Sequence, residues 1–243
     1  MVLLEDLIDR LRKKQEKPIK ERIVEKIITK PVDVSHVTLE KILESENSLI
    51  AIPITNFYGT DLNFFVNTNE YFKFKVQKHR NIPIKDFVNF VTYSHPKIKE
   101  IAQFVVESTK TKNPAQTLLD FTHRFIYNNK IEQISDYVRY PIETLVERNG
   151  DCEDLCILAA ALMKSIAIDV ALIHLPNPYK QKPGHIALGV CGNFEGVYCL
   201  YKGKKYFYAE STGTDWLSKP ADWKIGQVPE EYKNSKVRVY VVP

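Results

Sequence analysis

Three residues of this sequence have the types and positions to carry out one reaction together. Cys152 stands two residues after Gly150, at the start of a helical pattern. His185 follows 33 residues later, directly after Gly184 and at the head of a strand pattern, and Glu210 closes a further strand pattern 25 residues beyond that. A cysteine nucleophile needs a base to take its proton, and an imidazole base works best when a carboxylate orients it and stabilises its charged form. The start of a helix suits the nucleophile, because unpaired N–H groups and the positive end of the macrodipole favour a thiolate. Asp151, Glu153 and Asp154 act the other way, since neighbouring carboxylates raise a thiol pKa. They also fit a helix N-terminus on their own account, so they support the placement and leave the net effect on the thiol open. The plain alternative is a small buried cysteine at a helix start and a satisfied strand histidine. The polar, glycine-marked setting of Cys152 weighs against it.

Metal chemistry is the rival use of these residues. The four cysteines, Cys152, Cys156, Cys191 and Cys199, could form a zinc site. Their spacing lacks the close pairs on turns that structural zinc sites use, and Cys156, followed by Ile157 and Leu158, reads as a core residue. Four cysteines in 243 residues are too sparse for a disulfide scaffold. Asp151, Glu153 and Asp154 could hold a calcium ion, but three such carboxylates are also ordinary helix N-terminus chemistry. The expectation is no cofactor and no metal.

The elements that must position these residues read as follows. From Gly150 the chain reads as a turn, a helix burying Leu155, Leu158, Ala159, Leu162 and Met163, then a strand over VALIHL. GHIALGV is a further strand, VYCLY and KYFYAES flank a hairpin at Lys202-Gly203-Lys204, and KVRVYVV is the last strand. Helices precede it: Ile98, Ile101, Ala102 and Val105 keep helical spacing after Pro96. Asn113-Pro114 starts another helix with Leu118, Phe121, Phe125 and Ile126 along one face. Residues 48–78 are β-rich. There Phe72, Phe74 and Val76 alternate with polar residues as in a half-buried strand, and Asn67-Thr68-Asn69-Glu70 reads as a hairpin turn. Residues 2–28 read as a helical arm, with Leu4, Leu7, Ile8 and Leu11 on one stripe, and residues 176–184 as a rim beside His185. Helices followed by consecutive strands give an α+β class with an antiparallel sheet. The boundary falls near residue 95: an arm and β-hairpin extension over 1–95 and a catalytic core over 96–243, or one continuous domain.

Composition narrows the setting. Hydrophobic residues make up 44% and charged residues 26% of the chain, which excludes a disordered, collagen-like or rod-like protein. A net charge of +4 is too small to imply nucleic acid. No apolar run reaches membrane-spanning length, and Glu5, Asp6 and Asp9 break up the start of the chain, so no secretory signal is read there. The expectation is a cytoplasmic protein with reduced thiols and no membrane span.

Three segments together resemble the transglutaminase-like superfamily, including its microbial cysteine protease and amidase members. They are Tyr140-Pro-Ile-Glu-Thr-Leu-Val-Glu-Arg-Asn-Gly-Asp-Cys152-Glu-Asp, Gly184-His185-Ile-Ala-Leu-Gly-Val, and Tyr206-Phe-Tyr-Ala-Glu210-Ser-Thr212. The family commonly has Asp-Pro-Thr where this chain has Glu210-Ser211-Thr212. The resemblance covers about residues 137–215. It implies a papain-like core, with a nucleophile helix packed on an antiparallel sheet. It also implies acyl transfer from a peptide or protein amide through Cys152, His185 and Glu210. Some secreted bacterial members carry calcium near an Asp-Cys-Glu sequence. An oxyanion would need donors; the Cys152 N–H is one candidate, and the hydroxyl of Tyr137 or Tyr140 is the other. The alternative is a catalytically inactive module of the same fold that binds a partner.

Overall fold

The computed structural model describes residues 27–28, 48–128, 137–176, 184–213 and 222–243. Its N-terminal strands are β1 (Ile27–Ile28), β2 (Leu49–Phe57) and β3 (Thr60–Asn67). They form a three-stranded sheet in the order β1-β2-β3, with β1 parallel to β2. Helix α1 (Thr68–Lys75) follows, then a 3-10 turn over Ile84–Phe90, α2 (Pro96–Thr109), α3 (Pro114–Thr122), β4 (Ile126–Tyr127), α4 (Pro141–Glu147) and β5 (Asn149–Gly150). Next come α5 (Cys152–Ser165), β6 (Val170–Leu175), β7 (His185–Cys191), β8 (Tyr198–Tyr201) and β9 (Lys204–Ala209). A 3-10 turn over Glu230–Tyr232 and β10 (Arg238–Val241) complete the chain. Strands β6 to β10 make a five-stranded antiparallel sheet in the order β10-β6-β7-β9-β8. The architecture is α+β, as the element order implied.

Helix α5 is the centre of the molecule. Every residue from Leu155 to Met163 is buried, so the helix has no solvated face. Such a helix needs neighbours on all sides. Here α2, α3 and α4 pack on it from one direction and β6 and β7 from the other. The run Ala159-Ala160-Ala161 keeps it narrow enough for this enclosure, while Leu155, Leu158 and Leu162 are each fully buried and contribute about 2 kcal/mol apiece. Alternation along β7 divides its side chains between two cores. Ile186, Leu188 and Val190 join the large core around α5, whereas Ala187 joins Ile173, Leu175 and Tyr208 in a smaller one. The β2–β3 hairpin shares the large core through Ile50, Ile52, Leu62 and Phe64.

Four local expectations are corrected. Residues 71–77 are not a strand, because most of them lie in α1. Asn67 does not turn a hairpin but caps this helix, its side chain accepting a hydrogen bond from the Asn69 N–H at 2.8 Å. Glu70 near the start and Lys73 and Lys75 near the end suit the helix dipole, and the helix buries Tyr71 completely. The hairpin turn lies earlier, at Tyr58-Gly59 between β2 and β3. Helix α3 stops at Thr122, so Ile126 is not on its face; it pairs with Asn149 in a short parallel ladder. The helical arm was read to Ile28, but Ile27 and Ile28 pair with Leu49 and Ile50 as a strand. The rest of the arm, and most of the rim over 176–184, lie outside the described residues.

Candidate active site

Cys152 is the first residue of α5. The helix starts there because Asp151 is extended at the N-cap and its carboxylate accepts from the Asp154 N–H at 3.3 Å. Just before it the backbone makes a close approach. A Cβ at Gly150 would lie 2.6 Å from that of Asp154, so this position needs glycine. Asp154 is held in place by Arg139, whose backbone N–H and guanidinium both bond its carboxylate at 2.8 Å. Arg139 also pairs with Glu147 at 2.9 Å. Helix α5 is thus fixed at its first turn by a buried polar network.

His185 opens β7, one residue after Gly184, where a Cβ would come within 2.9 Å of both the His174 ring and the Leu175 carbonyl. The β7–β9 ladder runs only from Leu188 opposite Ala209 to Cys191 opposite Tyr206. His185 and Ile186 therefore extend past the end of β9, and the first turn of α5 comes against this stretch. The backbone N–H of Ile186 lies near enough to Cys152 to pull its thiol pKa down. The far nitrogen of His185, Nε2, lies 2.9 Å from Glu210 Oε2. The structure brings the three expected residues into one locality. Two tyrosines join them. Tyr208 donates its hydroxyl to Glu210 Oε2 at 2.7 Å, and the Tyr232 ring stacks on His185 with centroids 4.7 Å apart and planes 4° from parallel.

The electrostatics of the two ends differ. Glu210 is 2% exposed. Burial alone would raise its pKa, but the hydrogen bond and charge of His185, with the Thr212 hydroxyl and N–H on Oε1, outweigh burial and hold it below the ordinary value. Around Cys152 the balance is reversed. Burial pushes the thiol well above its ordinary value, and the Glu153 and Asp151 carboxylates push the same way, against the Ile186 N–H. The thiol donates to Glu153 Oε2 at 3.1 Å. Burial, followed by the charge of Glu153, raises Asp151 to about 8, and burial raises Glu153 in turn. The helix N-terminus does not win at this cysteine in its resting state.

The two tyrosines read as oxyanion donors sit in the layer behind α4. Tyr137 donates to Glu143 Oε1 at 2.9 Å and stacks on His79. The Tyr140 ring stacks on Phe90 at 4.4 Å, and its backbone N–H bonds Glu143. The four cysteines are free thiols, and among the described residues no three His, Cys, Asp or Glu side chains are grouped to hold a metal ion. Sequence reasoning missed Tyr208 and Tyr232. Tyr208 was within reach, since two residues before Glu210 on a strand is the same face. Tyr232 carries no local signal.

A family model described as a transglutaminase-like domain matches residues 63–201, from β3 to the end of β8. Cys152 and His185 lie inside the match and Glu210 beyond it. Among solved structures, a candidate cysteine protease from Cytophaga hutchinsonii is 13% identical with a TM-score of 0.35, over 67% of this chain. This chain spans 58% of the length of that protein. No curated protein matches this chain.

Proposed function

Because the chain belongs to the transglutaminase-like domain family, we propose that it is a cysteine-dependent acyl-transfer enzyme acting on peptide or protein amides, with Cys152, His185 and Glu210 as its triad. The observation that carries this reading is the join between β7 and α5. The Ile186 N–H acts on the Cys152 thiol, and the residue before it is a histidine whose Nε2 is held by a buried carboxylate. In the reaction the thiol proton passes to His185 and the sulfur attacks the amide carbonyl. The C–N bond then breaks as the imidazolium returns the proton to the leaving amine. Water, deprotonated by His185, releases the acid and restores the thiol; an amine in its place gives transamidation. Glu210 stabilises the imidazolium without taking its proton. The Cys152 N–H at the helix start is one oxyanion donor. Tyr140 is the better second candidate, since the single proton of Tyr137 is committed to Glu143.

A panel of peptide amides, with and without an amine donor, tests the proposal. The expected result is turnover, with an acyl-enzyme mass on the Cys152 peptide, abolished in Cys152→Ser and His185→Gln. Turnover that survives Cys152→Ser overturns it. One observation favours the second reading, a module that binds a partner without catalysis. Cys152 is 5% exposed, and its proton points toward Glu153. A Cys152 that forms no acyl adduct with any amide would support that reading.

A further inference from the structure

We propose that Tyr232 is a positioning residue for the base, clamping the His185 ring where its Nε2 meets Glu210. This inference rests on the triad assignment above and extends it to the C-terminal segment, beyond the family match.

The clamp is built from two anchors. On its N-terminal side, residues 223–226 are bound to the core. Gln116 of α3 donates to the Trp223 carbonyl and accepts from the Ile225 N–H, each at 2.9 Å. The Gly226 N–H bonds the Tyr208 carbonyl, and the Val197 N–H bonds the Gly226 carbonyl. On its C-terminal side, β10 pairs with β6 from Arg238 opposite His174 to Val241 opposite Ala171. Between the anchors, Val228 and Tyr232 pack on the small core of Ile173, Leu175, Ala187 and Tyr208. His185 has the same strand parity as Ala187, so its ring emerges at the edge of this core. Tyr232 closes the ring's open face at 4.7 Å and leaves the imidazole side chain only 11% exposed.

A parallel stack has two consequences for a base. It fixes χ2 of the histidine, so Nε2 stays on Glu210. It also keeps water from the His185–Glu210 bond. The titratable groups around His185 are Cys152 and Glu153 of α5, His174 of β6, Tyr208 and Glu210 of β9 and its end, and Tyr232 itself. Of these, Tyr232 supplies a ring and no charge.

The test is the rate of Cys152 carbamidomethylation by iodoacetamide from pH 5.5 to 9.5, followed by peptide mass spectrometry. Wild type is compared with Tyr232→Phe, Tyr232→Leu and Tyr232→Ala. Phe keeps the ring and is expected to track wild type within about twofold. Leu keeps bulk but no π face, and Ala keeps neither. Both are expected to slow Cys152 about tenfold at pH 7, the scale of a misplaced catalytic group, and to move the profile to higher pH, toward that of a thiol without a base. A Leu variant that folds, as judged by circular dichroism, and keeps the wild-type profile overturns the proposal. So does a Phe variant as slow as Leu. A wild type in which Cys152 reacts no faster than Cys191 and Cys199 overturns the triad itself. A fast wild type with an unchanged Leu variant removes only Tyr232.

Discussion

Two acidic regions flank the same histidine–cysteine pair, and they ionise in opposite directions. Glu210 is buried but surrounded by donors: His185, Tyr208 and both donors of Thr212. Asp151 and Glu153 are also buried, but they face each other and a thiol. The first is held below the ordinary carboxylate range and can stabilise a positive charge; both carboxyls of the second are pushed up and resist a further negative charge beside them. Burial alone therefore does not decide which way a carboxyl shifts; at Glu210 the donors outweigh it.

The largest effect should come from the donor-rich end. Glu210→Gln keeps shape and burial but removes the charge and offers an amide to His185, as in other triads that lose their acid. Cys152 reactivity at pH 7 should fall about 10²–10⁴-fold in the iodoacetamide assay. A loss below about threefold would mean that Glu210 does not orient the base.

Next is the ion network that fixes the acid-rich end. Arg139→Met leaves Asp154 and Glu147 buried without their cation, which should cost about 3–5 kcal/mol, read as a drop in urea midpoint at unchanged m-value.

A third test uses pH. Asp151 has a folded pKa of about 8 against the ordinary 3.8. A pKa raised by folding means that the protonated native state is the favoured one. Stability from this group is therefore full below about pH 4 and is lost as pH rises through 8. Asp151→Asn, a comparable N-cap, should flatten the decline in urea midpoint between pH 5 and 8.5. An undiminished decline would show that Asp151 titrates elsewhere.

The smallest effect is expected at Glu153. Glu153→Gln keeps an acceptor for the thiol and removes the charge, so Cys152 alkylation at pH 8 should rise about threefold. A fall instead would make Glu153 a helper of the thiolate.

Much of this was legible in the residues. Asp151 before a run of apolar residues announced a capped helix, and Gly150 and Gly184 announced backbone contacts that the structure fills with Asp154 and with His174 and Leu175. The sheet strands were legible because their alternation is local. Helix α1 was not: Phe72, Phe74 and Val76 alternate like a strand, while the cap at Asn67 and the burial of Tyr71 favour a helix. The opposing pull of the acids on Cys152 was visible, but its outcome was not. That outcome depends on the long-range packing that takes Cys152, Asp151 and Glu153 out of water together. Tyr232 lies 47 residues from His185 with no pattern linking them; two anchors distant in sequence bring it there.

The most direct measurement of the proposed triad is a competition among the four native thiols. Cys191 and Cys199 are half-buried, Cys152 is nearly covered and Cys156 is fully buried. Exposure alone orders their reaction with substoichiometric iodoacetamide at pH 7 as Cys191 and Cys199 first, then Cys152. A thiol beside an oriented base reverses that order. The expected result is that Cys152 is modified first, before either half-buried cysteine. Modification of Cys191 and Cys199 ahead of Cys152 would contradict the assignment of Cys152, His185 and Glu210 as a working triad.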